Sequence, residues 1–304
     1  MISEKEISFL EKGSFLNTRQ FPDNKFRLEL NGKTLDFSKK TYIMGIVNFT
    51  PDSFFDGGKY NSMDKALLKV ASLINEGADI IDIGGESTRP GSKSITLNEE
   101  LERVMPLIEK ATKEFDIIFS VDSTKEKVVQ EALKSGVSIV NDISGLNFEP
   151  KIAKHVAEYN AAIVIMHTSS RPIDMQDRTG YGSLIDDIID YFRSSINFAV
   201  KSSIAIDKII IDPGIGFGKT AEQNIEIIRK LPRFKLLGCP LMIGTSRKSF
   251  IGKIFDNLPT EDRLIGSVVS AVASALNGAS ILRVHDVFET KQAMEIINLI
   301  YGSN

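Results

Sequence analysis

Eight short apolar runs, rich in isoleucine and valine, recur along the chain at the spacing of strand, loop and helix units. Each run is apolar at consecutive rather than alternating positions, which is typical of parallel strands buried on both faces. The runs cover residues 42–48, 79–85, 117–123, 138–144, 161–167, 208–214, 240–246 and 280–286. They predict eight parallel strands.

Helical patterns lie between these runs. Apolar residues fall on one stripe within residues 64–75, and again within residues 224–231. Strand followed by helix, eight times over, predicts a (β/α)₈ TIM barrel of the α/β class. A doubly wound open sheet is the structural alternative. The polar residues that end each apolar run favour the closed barrel, because its active sites lie at the carboxyl ends of the strands.

The amino end precedes the first run. Two short strand patterns, 26–30 and 34–37, are joined through Asn31-Gly32, a pair that favours the tight turn of a β-hairpin. We therefore expect residues 1–40 to form a short N-terminal β-hairpin extension and residues 41–304 to form the barrel domain. The hairpin is expected to lie against the barrel, over its bottom.

Composition excludes several classes of protein. A chain of 304 residues fits one barrel of about 250 residues plus an extension. The net charge of −3 argues against a nucleic-acid partner. No apolar run approaches the roughly 20 residues that span a bilayer, and the start lacks the order of a signal peptide. The single cysteine, Cys239, has no partner for an internal disulfide, so we expect a reducing cytoplasm and no membrane.

The first two runs end in polar loops. Asn48 is followed by residues 49–58, which are long enough for a lid, although a solvated turn in which Asp52 and Ser53 only cap the next segment is the alternative. The second run continues through Glu86 to Arg89, whose guanidinium suits a carboxylate or phosphate. A surface pair between Arg89 and Glu86 remains open.

Three further runs end in groups that are costly to bury. Asp122, Asn141 and Asp212 each follow a strongly apolar run, and a buried carboxylate without a partner costs several kcal/mol. Their convergence on one barrel mouth would require a donor-rich partner such as a planar amino-heterocycle. For Asp122 and Asn141, capping of the following helices is the alternative.

The last three strand ends indicate close ligand approach and anion binding. Residues 212–219 form a glycine-rich loop that does not match a dinucleotide or P-loop motif, and Phe217 on it is expected to be a ligand wall. Lys248 stands at a predicted helix start, where exposed N–H groups favour anions, although its side chain could instead extend to solvent. Alternation places Arg283 and His285 on one face, where they suit phosphate.

Taken together, these motifs resemble the dihydropteroate synthase family over residues 42 to 290. The motifs that carry the resemblance are 44–48 through Gly58, 82–91, 120–122, 141–145, 166–167, 212–219, 244–248 and 283–287. The resemblance implies a transferase of folate biosynthesis, which joins 6-hydroxymethyl-7,8-dihydropterin pyrophosphate to p-aminobenzoate and releases diphosphate.

The resemblance also implies roles for individual residues. Those matching the pterin pocket are Asp122, Asn141, Ile143, Met166, Asp212, Lys248 and Arg283. Those matching the pyrophosphate site are Asn48, Arg89, Arg283 and His285, with Asn48 also a ligand of Mg²⁺. Those matching the p-aminobenzoate site are Thr88, Arg89, Pro90, Phe217, Lys248 and Ser249. Asp122, Lys248, Arg89 and Asp212 are the expected catalytic residues.

Two other functions and one interface question stay open. Related barrels transfer a methyl group from methyltetrahydrofolate to a corrinoid protein, which needs no anion site, and a non-catalytic pterin-binding paralogue is the third hypothesis. The resemblance suggests a homodimer. The apolar stretches 268–275 and 296–300 could form its interface, or could equally belong to the core.

Overall fold

The computed structural model describes residues 27–49, 59–88 and 91–301. Its eight-stranded sheet is entirely parallel, strands that are consecutive along the chain lie side by side in it, and the last strand pairs with the first. A parallel bridge between Ile211 and Leu241, with Ile211 N donating to Pro240 O at 3.0 Å, joins the two outer strands. The predicted barrel is confirmed, and the open sheet is wrong.

The strands of the barrel are somewhat shorter than the apolar runs that predicted them. They are β3 (Tyr42–Asn48), β4 (Ile80–Gly84), β5 (Ile118–Asp122), β6 (Ile139–Asp142), β7 (Ala162–Met166), β8 (Ile209–Asp212), β9 (Met242–Ile243) and β10 (Ile281–Val284). The largest difference is in β9, which keeps only two residues. Its run begins at Pro240, which has no N–H to give to a sheet.

Nine α-helices surround the barrel in the described part of the chain. They are α1 (Lys59–Asn75), α2 (Leu97–Glu114), α3 (Glu126–Lys134), α4 (Ile152–Glu158), α5 (Leu184–Lys201), α6 (Ala221–Lys230), α7 (Ser249–Ile254), α8 (Leu264–Leu276) and α9 (Val287–Tyr301). Among the residues described, no helix is long and apolar enough to cross a bilayer. The main core lies between the strands and these helices.

The N-terminal hairpin consists of β1 (Arg27–Leu30) and β2 (Lys33–Asp36), paired antiparallel. Asn31 and Gly32 have φ angles of 46° and 79°, which match the turn that Asn-Gly favours. The sequence prediction of this hairpin is confirmed. Residues 1–26 lie outside the described residues, so the division of the chain between residues 40 and 41 stays a prediction.

The hairpin covers the bottom of the barrel. Four of its apolar side chains join one buried cluster with the first inward residues of the barrel strands. Asn31 Nδ2 donates to Ser138 Oγ at 2.7 Å, and Lys33 Nζ donates to Asp116 O at 3.0 Å, both at the start of barrel strands. The amino-terminal end of the barrel is therefore closed, and the carboxyl end is left for ligands.

Candidate active site

Four polar side chains from separate strands are joined at the carboxyl end of the barrel. Arg283 on β10 donates from Nε to Asp82 Oδ2 at 2.6 Å and from Nη2 to Asp122 Oδ2 at 2.7 Å. Asn141 Nδ2 donates to the same Asp82 oxygen at 3.0 Å. Asp82, Asp122 and Asn141 are all buried, and Asp82 is 0% exposed. We call Asp82, Asp122, Asn141 and Asp212 the acidic floor.

The structure decides against helix capping for two floor residues. Helix α3 begins without a side-chain cap, and Ser123 Oγ, rather than Asp122, accepts from Lys125 N at 3.2 Å. After β6, the turn is held by Asp142, whose carboxylate accepts from the N–H groups that follow it. Asp122 and Asn141 are therefore left to face the barrel mouth.

The donor-rich partner expected between the carboxylates is supplied in part by the protein itself. Arg283 bridges Asp82 and Asp122, which lowers the cost of burying both charges. Among the described residues, Asp82 Oδ1 has no hydrogen-bond partner. Sequence reasoning missed Asp82 as a site residue, although its inward position two residues after Ile80 could have indicated it.

Burial dominates the electrostatics of the floor. It raises the pKa of Asp122 to about 7, with Arg283 opposing the shift. Burial also raises the pKa of Asp212, and the N–H of Gly214, which donates to Asp212 Oδ1 at 2.7 Å, opposes it. These carboxyls are thus poised to accept hydrogen bonds or respond to nearby positive charge.

A second group that sequence reasoning missed is Lys219, which lies behind the glycine-rich loop and is only 2% exposed. Its ammonium donates to Phe217 O at 2.8 Å and contacts His167 Nδ1 at 3.0 Å. Burial, and then the charge of Lys219, lower the pKa of His167 to about 2, so the ring is neutral and Nδ1 accepts. Burial also lowers the pKa of Lys219 to about 7, with Asp212 opposing. The cluster fixes the back of the loop.

Lys248 points into the site rather than to bulk solvent. Its ammonium donates to Ile215 O at 2.9 Å and lies 4.1 Å from the centre of the Phe217 ring. Burial lowers the pKa of Lys248 to about 8, and the charge of Asp212 opposes the shift. The alternative in which Lys248 extends to solvent is therefore wrong.

An apolar wall stands at the same end of the barrel as the floor. Ile143, Met166 and Phe217 form a separate buried cluster, to which Met175 from the loop after β7 also belongs. Its separation from the main core agrees with the expectation that Phe217 lines a ligand site rather than filling the core. Sequence reasoning missed Met175, because nothing in the loop pattern distinguishes it.

The predicted rim residues are placed around the mouth. Asn48 ends β3 beside Gly84 and is partly buried. Ser246 Oγ lies 3.0 Å from His285 Nδ1, and Thr88 is partly buried. Ser249 is exposed as the first residue of α7. Arg89, Pro90 and the proposed lid residues 50–58 lie outside the described residues, so their predictions are untested.

A cavity of about 190 Å³ opens beside the floor. Asp122 and Ile143 border it, and Thr88 and Arg171 lie on its wall. Lys125, which also lines it, forms ion pairs with Glu86 and with Glu100 of α2, and the first of these ties the start of the loop after β4 to the loop after β5. Glu86 thus pairs with Lys125 in the structure.

Comparison with known proteins yields one family and many full-length relatives. The family model described as "Pterin binding enzyme" matches residues 44–285. The dihydropteroate synthase of Synechocystis is 45% identical over 89% of this chain and 94% of its own length. That of Bacillus subtilis is 47% identical over 83% of this chain and 86% of its own length.

Solved structures agree with these relatives. A Yersinia pestis dihydropteroate synthase, in a complex with a sulfonamide drug, superposes with a TM-score of 0.86 at 40% identity and covers 91% of this chain and 100% of that one. A Xanthomonas albilineans dihydropteroate synthase with 4-aminobenzoic acid gives a TM-score of 0.85 at 35% identity and covers 92% of this chain and 99% of that one.

Proposed function

The chain belongs to the family of pterin-binding enzymes, and from this premise we propose that it joins 6-hydroxymethyl-7,8-dihydropterin pyrophosphate to p-aminobenzoate. The products are 7,8-dihydropteroate and diphosphate, so the chain acts as a transferase in folate biosynthesis. Relatives of this activity cover the whole barrel and not one part of it. The two hypotheses of methyl transfer and of binding alone are the competing outcomes of the assay below.

The observation that carries the proposal is the acidic floor with its bridging arginine. A pterin ring presents an amino group and ring N–H donors along one edge. Asp122, Asn141 and Asp212 offer buried acceptors at the barrel mouth, where a hydrogen bond is stronger than in water. The apolar wall formed by Ile143 and Met166 suits the ring face.

The chemistry then depends on charge. The bond between the pterin methylene carbon and the diphosphate oxygen breaks, and the electron pair leaves with diphosphate. The amine nitrogen of p-aminobenzoate then bonds to the methylene cation and releases a proton. The buried carboxylates of Asp122 and Asp212 stabilise the developing positive charge on the ring. His285 at the rim, together with Arg283, which bridges the floor, stabilises the departing anion.

We also propose that Mg²⁺ binds among the residues at the rim. The described residues contain no group of three His, Cys, Asp or Glu side chains that could hold a metal by themselves. Mg²⁺ commonly uses few protein oxygens together with substrate phosphates, and Asn48 places one amide oxygen at the end of β3. Bound there, Mg²⁺ supplies charge neutralisation for the leaving diphosphate. We assign Asn48 as its protein ligand.

The p-aminobenzoate carboxylate is assigned to Lys248 and Ser249, with Phe217 against the aromatic ring. Lys248 already lies above Phe217, so an aromatic acid can place its charge near the ammonium while its ring packs on the wall. Thr88 completes this side, and Arg89 and Pro90 are assigned to it from the family resemblance alone.

The test is direct product formation. Purified protein is mixed with the dihydropterin pyrophosphate, p-aminobenzoate and Mg²⁺, and dihydropteroate and diphosphate are quantified. The expected result is equal amounts of dihydropteroate and diphosphate. When p-aminobenzoate is left out of the mixture, no dihydropteroate is expected. Pterin binding without product would favour the non-catalytic paralogue, and methyl transfer from methyltetrahydrofolate to a corrinoid protein would favour the methyltransferase.

We further propose that the chain forms a homodimer through α8 and α9. Helix α8 buries Ser267, Ala271 and Ser274, while Ile265 and Val269 are 78% and 62% exposed. Helix α9 adds exposed apolar residues, which include Ile296, Leu299 and Ile300. These exposed residues form an apolar face that is turned away from the barrel. This supports a role in an interface for them rather than a role in the core.

The dimer is tested by the mass of the protein in solution. The variant Ile265→Glu with Val269→Glu is expected to sediment as a monomer, whereas Leu68→Glu, at an exposed leucine of α1, is expected to remain dimeric. A monomeric parent chain would contradict the proposal. A cytoplasmic location also stays a proposal, supported by the sequence, whose single cysteine cannot form an internal disulfide.

A further inference from the structure

Arg247, the residue before Lys248, has a backbone conformation that arginine rarely adopts. Its φ angle is 56°, in the left-handed region. Four of the seven described residues other than glycine with positive φ are Asn or Asp, which tolerate this region, and Arg247 is not of that type. Such a conformation persists only where the surrounding structure holds it, and it is often found at functional sites.

The surroundings hold Arg247 at three points. Its N–H donates to Ser267 Oγ at 2.8 Å, and its carbonyl accepts from Arg263 Nη1 at 3.1 Å. Both partners stand at the start of α8. The guanidinium forms a two-point ion pair with Asp286, with Nε to Oδ2 at 3.0 Å and Nη2 to Oδ1 at 2.6 Å. Planar pairing of this kind fixes orientation as well as distance.

The ion pair lies one residue away from an active-site side chain in each of the two segments that it joins, which follow β9 and β10. Asp286 follows His285, and Arg247 precedes Lys248. On the inner side, Ser246 Oγ contacts His285 Nδ1 at 3.0 Å and accepts from His285 N at 3.2 Å. Two contacts therefore attach the loop after β9 to the residues that follow β10. Ser246 contacts His285, and Arg247 pairs with Asp286.

The glycines around this attachment leave no spare room. A Cβ at Gly252 would lie 2.7 Å from Arg263 Nη2, and one at Gly266 would lie 2.5 Å from Ile251 Cγ2. Helices α7 and α8 thus pack closely where Arg263 reaches the carbonyl of Arg247. The position of residue 247 is set by packing as well as by hydrogen bonds.

We propose that Arg247, through its two-point pair with Asp286, is a positioning residue that orients Lys248 and Ser249 toward p-aminobenzoate. The proposal rests on the function assigned above. Neither partner is among the residues assigned to a substrate above. Lys248 is also assigned to the pterin pocket, whereas Ser249 is assigned to p-aminobenzoate alone, and among the described residues neither Arg247 nor Asp286 is hydrogen-bonded to the acidic floor. We therefore expect a larger effect on the second substrate than on the first.

The test uses two single variants. Arg247→Lys keeps the positive charge but cannot form both hydrogen bonds, and Asp286→Asn keeps the shape of the side chain but loses its negative charge. Each is expected to raise the KM for p-aminobenzoate about tenfold, while kcat and the KM for the pterin substrate change less than threefold. The double variant is expected to be no worse than either single variant, because both remove the same interaction. The matched control is Arg233→Lys, which weakens the exposed pair with Asp186 and should leave all constants unchanged.

Hydrogen exchange separates this proposal from the assigned function. The amide of Arg247 and its neighbours in residues 244–250 are expected to exchange about tenfold faster in both single variants, with the floor strands unchanged. This result tests whether the pair holds the loop after β9 in place, even if the parent chain makes no product. Unchanged exchange and unchanged KM would overturn the proposal, and so would an equal loss in both substrates with a lower thermal midpoint, which indicates a general structural role.

Discussion

The two ends of the barrel interior differ sharply although the same strands build them. At the bottom, the inward side chains form a buried apolar cluster with the hairpin. Two residues further along, on the same face of four of the strands, the inward side chain is charged or polar. The pairs are Ile80 and Asp82, Ile139 and Asn141, Ile210 and Asp212, and Ile281 and Arg283.

This contrast separates stability from function. The bottom needs no specific pairing, because apolar burial is non-directional and each side chain contributes by its area. The top buries carboxylates, and these are tolerated only where donors such as Arg283 and Asn141 meet them. Substitutions at the bottom should therefore alter unfolding, and substitutions at the top should alter catalysis.

The largest effect is expected at the bottom, from Phe37→Ala. Phe37 is 4% exposed and packs edge-to-face against Tyr42, with the centres of the two rings 5.5 Å apart. Its loss is expected to lower the free energy of unfolding by about 3–5 kcal/mol in urea denaturation, with KM values of the folded protein unchanged. Phe198→Ala, at a site 41% exposed on α5, is the matched control and should cost far less. Altered substrate KM in Phe37→Ala would break the contrast.

The next effect is at the top, from Asp82→Asn. The amide keeps the shape but removes the charge that Arg283 and Asn141 meet, so the bridge to Asp122 is expected to shift. We expect kcat/KM for the pterin substrate to fall about 100-fold, or about 2.7 kcal/mol. Asp36→Asn, at a buried aspartate of the hairpin, should leave steady-state kinetics unchanged. Equal kinetic losses in both variants would show that the two ends are not distinct.

A smaller effect is expected from Gly216→Ala in the glycine-rich loop. Gly216 has a φ of 84°, and a Cβ there would lie 3.0 Å from Lys248 Cδ. Displacement of Lys248 is expected to raise the KM for p-aminobenzoate about tenfold, or about 1.4 kcal/mol. Gly238→Ala has a similar φ of 68° but nothing within 4 Å. If the control raises KM equally, backbone strain rather than the contact with Lys248 is responsible.

The smallest effect is a pH dependence of p-aminobenzoate binding. Because burial lowers the pKa of Lys248 to about 8, the ammonium that attracts the carboxylate is present below that pH and lost above it. The KM for p-aminobenzoate is expected to rise about fourfold from pH 7 to 8.5. In Lys248→Arg the rise should disappear, because arginine stays charged. A profile that is the same in both proteins would remove Lys248 from this role.

Sequence reasoning found what local pattern encodes. The apolar runs located all eight barrel strands, and Asn31-Gly32 located the hairpin. Asp122, Asn141 and Asp212 were found because each polar group ends an apolar run. The pairing between Arg283 and Asp82 spans 201 positions, so no local pattern shows it. Lys219 was overlooked for the same reason, since its partner His167 lies 52 positions away and a glycine-rich loop normally exposes its lysine.

The most direct test of the acidic floor is a calorimetric titration with the dihydropterin pyrophosphate and Mg²⁺, without p-aminobenzoate. The parent chain, Asp122→Asn and Asp36→Asn are compared under the same conditions. The floor predicts at least roughly 30-fold weaker binding in Asp122→Asn, about 2 kcal/mol, and unchanged binding in Asp36→Asn. Affinities within threefold of one another in all three proteins would contradict it.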